Sequence, residues 1–210
     1  MEMQRTTQTN TADNLLAGGQ TVTRPVTIAS GEGALARGQL LGKIDRAAGA
    51  PVADLGNTGD GTVTGVSLGA VARMGTYTLE CVAAAANGGT FKVVDPDGYA
   101  IDAQATVGAA YTSGHLNFTI NDGAADFVVG DQFTIAVEAG SGKYRAYNAA
   151  GVDGAQYPTA ILAMDIDATA ADVPAPAYVA GQFHDTALTG YSAGLSAALR
   201  AGGIFIKTQG

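Results

Sequence analysis

Hydrophobic residues in this chain alternate with polar ones far more often than they recur at helical spacing. The alternation comes in short bursts between turn-forming residues. Phe91 with Val93, Leu116 with Phe118 and Ile120, and Phe133 with Ile135 and Val137 keep a period of two, as strands with one buried face do. The pattern predicts strands over residues 62–68, 76–82, 90–94, 116–120 and 132–137. Between them, Asn87-Gly88-Gly89, Asp95-Pro96-Asp97-Gly98 and Asn121-Asp122-Gly123 carry turn chemistry. Strands are also predicted at 21–28, 40–44, 160–166, 177–183 and Ile204-Phe205-Ile206. Pro25 removes one backbone donor from the first of these, which suits an edge strand. Only Tyr191, Leu195 and Leu199 fall at i, i+4 and i+8, one helical face. Thr189 is placed to cap that helix and Gly202-Gly203 to stop it.

The elements sort into an outer and an inner set. Residues 21–54 and 143–210 read together as one discontinuous β domain with a single short C-terminal helix. Residues 55–142 read as an inserted antiparallel sandwich or small barrel. The Ala-, Gly- and Pro-rich stretch 45–56 reads as the outgoing linker, and Ala139-Gly140-Ser141-Gly142 as the return. Residues 1–20 are mostly polar, with Leu15 and Leu16 as their main apolar anchors, and are expected to form a flexible arm. The expected fold class is therefore mainly β, one domain interrupted by another.

Charge sharpens this division. The net charge is −8. Between Leu55 and Gly142, nine acidic residues stand against Arg73 and Lys92, while ten acidic and nine basic residues make the rest nearly neutral. The inner unit is thus expected to be a soluble face turned outward. No basic cluster exists to neutralise phosphates, which argues against a nucleic-acid partner. No stretch approaches the ~20 apolar residues of a membrane helix. The N-terminus lacks an apolar signal core, so synthesis in the cytoplasm is expected.

The candidate chemistry is thin. Gly140-Ser141-Gly142-Lys143 superficially resembles a phosphate loop, but Val137 stands where the first glycine belongs and Tyr144 where the hydroxyl residue belongs. His115 and His184 are the only histidines. His184 and Asp185 are neighbours on a predicted strand end and so face opposite ways; no nucleophile elbow accompanies them, and catalysis is not expected. Asp165 and Asp167 share a predicted strand face, and Asp95 and Asp97 a turn, with too few ligands for a calcium loop. Cys81, the single cysteine, lies on the face of Tyr77 and Leu79 and reads as a buried small hydrophobe. Neither a cofactor nor a metal site is expected.

The order and spacing of several pieces carry more information than any one of them. These are Ala12-Asp13-Asn14-Leu15-Leu16-Ala17-Gly18, Val26-Thr27-Ile28-Ala29-Ser30-Gly31 and Leu35-Ala36-Arg37-Gly38-Gln39-Leu40-Leu41-Gly42-Lys43-Ile44. Later come Ala160-Ile161-Leu162-Ala163, Val179-Ala180-Gly181-Gln182-Phe183 and Gly203-Ile204-Phe205-Ile206. Together, over about half of the chain, they resemble the head decoration proteins of tailed bacteriophages, the lambda-type family. Some phage decoration proteins also resemble the inner unit, with patterns similar to Gly75-Thr76-Tyr77-Thr78-Leu79, Phe91-Lys92-Val93-Val94-Asp95-Pro96-Asp97-Gly98 and Val129-Gly130-Asp131. The resemblance implies a β-clip-like fold and a non-enzymatic cement protein that sits as a homotrimer on the outside of an expanded phage head. It implies the major capsid protein as partner. Leu15, Leu16, Val22, Arg24, Val26 and Ile28 are the groups the arm region offers for that contact. An arm that pairs with an exposed strand would gain affinity by β-augmentation. The alternative is a virion-surface binding module whose inner unit recognises a host glycan or protein, for which exposed Tyr99 and Tyr111 would speak.

Overall fold

A computed structural model describes residues 14–208. The chain divides into two compact units, one of Met1–Leu41 with Pro158–Gly210 and one of Gly42–Tyr157. In chain order the strands are β1 (Val22–Ile28), β2 (Ala34–Leu35), β3 (Leu40–Lys43), β4 (Arg46–Ala53), β5 (Thr62–Leu68), β6 (Gly75–Ala85), β7 (Gly88–Val94) and β8 (Ala105–Thr106). Then come β9 (Ala110–Thr112), β10 (Leu116–Asn121), β11 (Gln132–Ala139), β12 (Tyr144–Ala146), β13 (Pro158–Leu162), β14 (Ile166–Asp167), β15 (Val173–His184), the helix α1 (Ser196–Ala201) and β16 (Ile204–Lys207). The mainly β expectation holds.

In the discontinuous unit the long strand β15 is the spine. β1 runs antiparallel to it from Val22 opposite Ala180 to Ile28 opposite Val173, with a slip between Val22 and Thr23. β13 pairs through Ile161 and Leu162 with Tyr178 and Ala177. β16 lies parallel to its far end, Ile204 beside Gly181 and Lys207 beside His184. Leu15, Ile28, Leu40, Leu41, Ile161, Phe183 and Ile204 fill the core. The helix is shorter than the i, i+4, i+8 spacing of Tyr191, Leu195 and Leu199 predicts. Ala193–Leu195 forms a 3-10 turn and α1 begins only at Ser196, with Leu195 rather than Thr189 at its N-cap. Thr189 is occupied elsewhere: its N–H donates to Gly38 O, and its carbonyl accepts from Leu40 N.

The other unit is a two-layer sandwich. A five-stranded sheet in the order β4-β11-β6-β7-β8 faces a three-stranded sheet in the order β5-β10-β9. The alternating residues meet between them: Tyr77, Leu79 and Cys81 from β6, Phe91 and Val93 from β7, Phe118 and Ile120 from β10, and Phe133 and Ile135 from β11. Phe91 and Phe127 pack edge to face at 5.0 Å, a favoured aromatic geometry.

Residues 45–56, expected to be a linker, are instead largely a strand. That strand is β4, which pairs with β11 from Ala53 opposite Phe133 to Arg46 opposite Ala139. Small residues and Pro51 hide a strand from periodicity, yet an edge position tolerates both. The return segment is likewise built in. Gly140 N donates to Asp45 O at 2.9 Å, Gly142 N to Ile44 O at 3.0 Å, and Ile44 N to Lys143 O at 2.8 Å. Asp153 O accepts from the N–H groups of Asp45 and Arg46, and its carboxylate pairs with Arg145 at 2.9 Å. The compact unit that contains the sandwich spans Gly42–Tyr157.

Candidate functional site

The candidate surface begins with a break in the alternation of β1. Val26 and Ile28 turn inward, but Val22, Thr23, Arg24 and Pro25 are all exposed. A paired strand normally hides one face. Across the ladder, Pro25 faces Pro176, and beyond the open half Thr27 faces Pro174. The three proline rings fix φ and offer no N–H, so this ribbon presents rigid, largely apolar shape in place of hydrogen-bond donors. Thr23, Arg24, Pro25, Pro174, Ala175 and Pro176 line an open depression of about 340 Å³. Arg24 is exposed, and its side chain makes no ion pair or hydrogen bond among the described residues.

The six expected contact residues divide accordingly. Val22, at 48 % exposure, and Arg24 lie on the open half of β1. Val26 and Ile28 are core residues, and so is Leu15, at 2 % exposure. Leu16 is half-buried and bridges to Phe183. Residues 1–13 of the expected arm lie outside the described residues. Leu15–Ala17 is no free tail: Leu15 O accepts from His184 N at 3.0 Å, and Ala17 N donates to Gln182 O at 2.9 Å. This short stretch adds to the β15 edge of its own unit. Leu15 and Val22 are alike in sequence, both apolar and near the N-terminus; which way each points depends on β15.

Other candidate groups serve the fold. Asp165 Oδ1 accepts from Arg37 N at 2.7 Å, and Asp167 Oδ1 from Thr169 N and Oγ1. The Thr169 hydroxyl and N–H together hold the Asp167 carboxyl below its ordinary value. Asp95 Oδ1 takes the N–H groups of Asp97 and Tyr99, and Asp97 pairs with Arg73. Among the described residues no group of three or more His, Cys, Asp or Glu side chains is placed to hold a metal ion. His115 Nδ1 lies 3.1 Å from the Tyr77 hydroxyl, which also accepts from Arg73 N. Cys81 is buried, and desolvation pushes its thiol up. Tyr111 is buried and stacks on Phe118 at 4.6 Å, leaving Tyr99, at 71 % exposure, as the open aromatic of that pair.

Asp131 is the residue that sequence reasoning undervalued. It is 3 % exposed. Its carboxylate accepts from Thr58 N at 2.9 Å, Gly59 N at 2.9 Å and Val128 N at 3.0 Å. Burial alone raises its pKa, but the three N–H donors outweigh burial and hold it below the ordinary 3.8. Its signal in the sequence is its place in the run Val129-Gly130-Asp131.

Prolines from both strands thus wall an exposed depression on the β1–β15 ribbon, the surface of a candidate binding or structural protein. The family model described as "Bacteriophage lambda head decoration protein D" matches residues 4–204, and the chain belongs to that family. The match runs through the sandwich unit as well as the discontinuous one. Membership makes the chain a structural decoration protein of the phage capsid, located in the virion. No curated protein matches the chain. Two crystal structures of FlgL from Xanthomonas campestris are similar over about half of it: 21 % identity, TM-score 0.35, with 51 % of this chain and 33 % of that one covered, and 22 % identity, TM-score 0.35, with 49 % and 32 % covered. The chain thus spans about a third of their length, and at that TM-score the likeness carries no functional weight. Among the described residues no helix is long and apolar enough to cross a membrane.

Proposed function

We propose that the protein is a cement protein. It binds as homotrimers to the outside of an expanded phage head, contacts the major capsid protein, and stabilises the shell against internal DNA pressure. The sandwich unit faces outward and is dispensable for attachment. The observation that carries this reading is the half-strand Val22–Pro25, open on both faces within a paired ribbon. A clamp needs a footprint of fixed shape, and proline-stiffened strands supply one with little ordering cost on binding. Attachment is mainly apolar, because the surface is nearly free of charge except for Arg24. A trimer repeats each contact three times, so weak individual contacts gain about 10²–10⁴-fold in avidity.

The test is co-sedimentation with purified expanded heads, alongside light scattering of the free protein for its oligomeric state. Raising salt to ~0.5 M, where screening sets in within about 4–5 Å, is expected to change attachment little. Decorated heads should retain DNA at temperatures that burst bare ones. Attachment lost on salt addition, or equal DNA loss with and without the protein, would count against the reading.

A second reading, a host-surface ligand held by the sandwich unit, has the exposed ring of Tyr99 in its favour. Sedimentation of the protein with host cells instead of heads is the result that would favour it.

A further inference from the structure

We propose that the depression between β1 and β15 seats an extended segment of the capsid shell protein that presents an apolar side chain beside a carboxylate, the carboxylate pairing with Arg24. This deepens the capsid-attachment reading and rests on it. The depression has room for one or two side chains, with Pro25, Pro174 and Pro176 among its walls. Pro25 and Pro176 face each other across the ladder, and neither has an N–H to offer. An incoming segment therefore finds no backbone N–H donor at these two positions; it is recognised by the shape of the side chain it inserts. Arg24 supplies the directional part. Its guanidinium is a planar fork of donors matched to a carboxylate, and it has no partner of its own among the described residues. Covering the depression without supplying an acceptor would strip water from that cation uncompensated, which selects for an acidic residue in the occupant. Apolar contact thus supplies affinity, and the Arg24 pair sets register.

The experiment measures binding to expanded heads for the full chain, Arg24→Glu, Thr23→Lys and the control Arg200→Glu, each checked for folding by thermal melting. Thr23 is exposed and lines the depression, so lysine there crowds and charges it without touching the core. Arg24→Glu and Thr23→Lys are each expected to weaken attachment by about tenfold or more, while Arg200→Glu binds like the parent and all four have the same oligomeric state. Parental binding by both Arg24→Glu and Thr23→Lys overturns the inference while leaving capsid attachment intact. So does an equal loss in Arg200→Glu, which would mark a net-charge effect. A change of oligomeric state in Arg24→Glu would assign the depression to a second copy of this chain and also overturn it. Failure of the parent itself to bind heads removes the attachment reading first, and this inference with it.

Discussion

At the level of single residues, direction decides role. Leu15 and Val22 are similar in chemistry and lie seven positions apart, yet one is core and the other open to solvent. Leu15→Ser is expected to destabilise the discontinuous unit by about 2–5 kcal/mol, the range for truncating a buried leucine. Val22→Ser should change stability by no more than about 0.5 kcal/mol and weaken capsid attachment instead. Urea titration and head co-sedimentation of the two variants separate these outcomes; a stable Leu15→Ser protein would contradict the burial. Asp131 yields a pH prediction with a definite sign. Its folded pKa lies below the unfolded value of about 3.9. Its contribution is therefore complete above that value and disappears as pH falls through the folded pKa. In Asp131→Asn an NH₂ replaces one acceptor and meets backbone N–H groups, at a cost of roughly 1–3 kcal/mol at neutral pH. The gap between parent and variant should narrow below about pH 4. Urea unfolding of parent and variant at a series of pH values, followed by circular dichroism, measures the gap, and a gap that is constant or widens in acid would refute the assignment.

Among elements, close backbone approach constrains the chain as strongly as hydrophobic pattern does. Gly38 leads into β3 with φ +92°, and a Cβ there would collide with the backbone carbonyl of Ala187. The same turn donates Gly38 N to Leu162 O and accepts from Thr189 N, so it locks β3 between β13 and the segment preceding α1. Gly38→Ala is expected to cost about 1–3 kcal/mol from the left-handed conformation, with more from the collision. A melting temperature within a degree of the parent would show that the turn relaxes freely. This contact also explains why Thr189 does not cap the helix: its backbone is already committed to the strand entrance.

For the whole molecule, the sandwich core draws on buried residues between Val63 and Val137, with Ala48 and Val152 only at its margin. A fragment of residues 45–142 is expected to fold alone, with cooperative urea unfolding and a protected Cys81. The complementary deletion, Ile44 joined to Lys143 by a short turn, is expected to remain folded and to bind heads. Its ends suit the graft, since Ile44 N already bonds Lys143 O at 2.8 Å. A fragment that exchanges its amides as fast as an unfolded chain, or a folded deletion that no longer attaches, would dissolve this division.

The sequence by itself determined what local pattern and composition can reach. The period of two placed β5, β7, β10 and β11 within a residue or two, because each buries one face against a shared core. Charge located the acidic unit, and the ordered outer pieces pointed to the decoration family. Tertiary structure decided the rest. β4 is a strand only because β11 offers it an edge, since its Ala, Gly and Pro residues carry no period. Leu15, Val26 and Ile28 become core and Val22 and Arg24 become surface only once β15 fixes which way β1 and the segment before it face. The proline depression has no signal in sequence at all: Pro25 and Pro176 are 151 positions apart and meet through the antiparallel register. Pairing between distant strands is set by the global fold, and a surface made from such a pair exists only when the fold does.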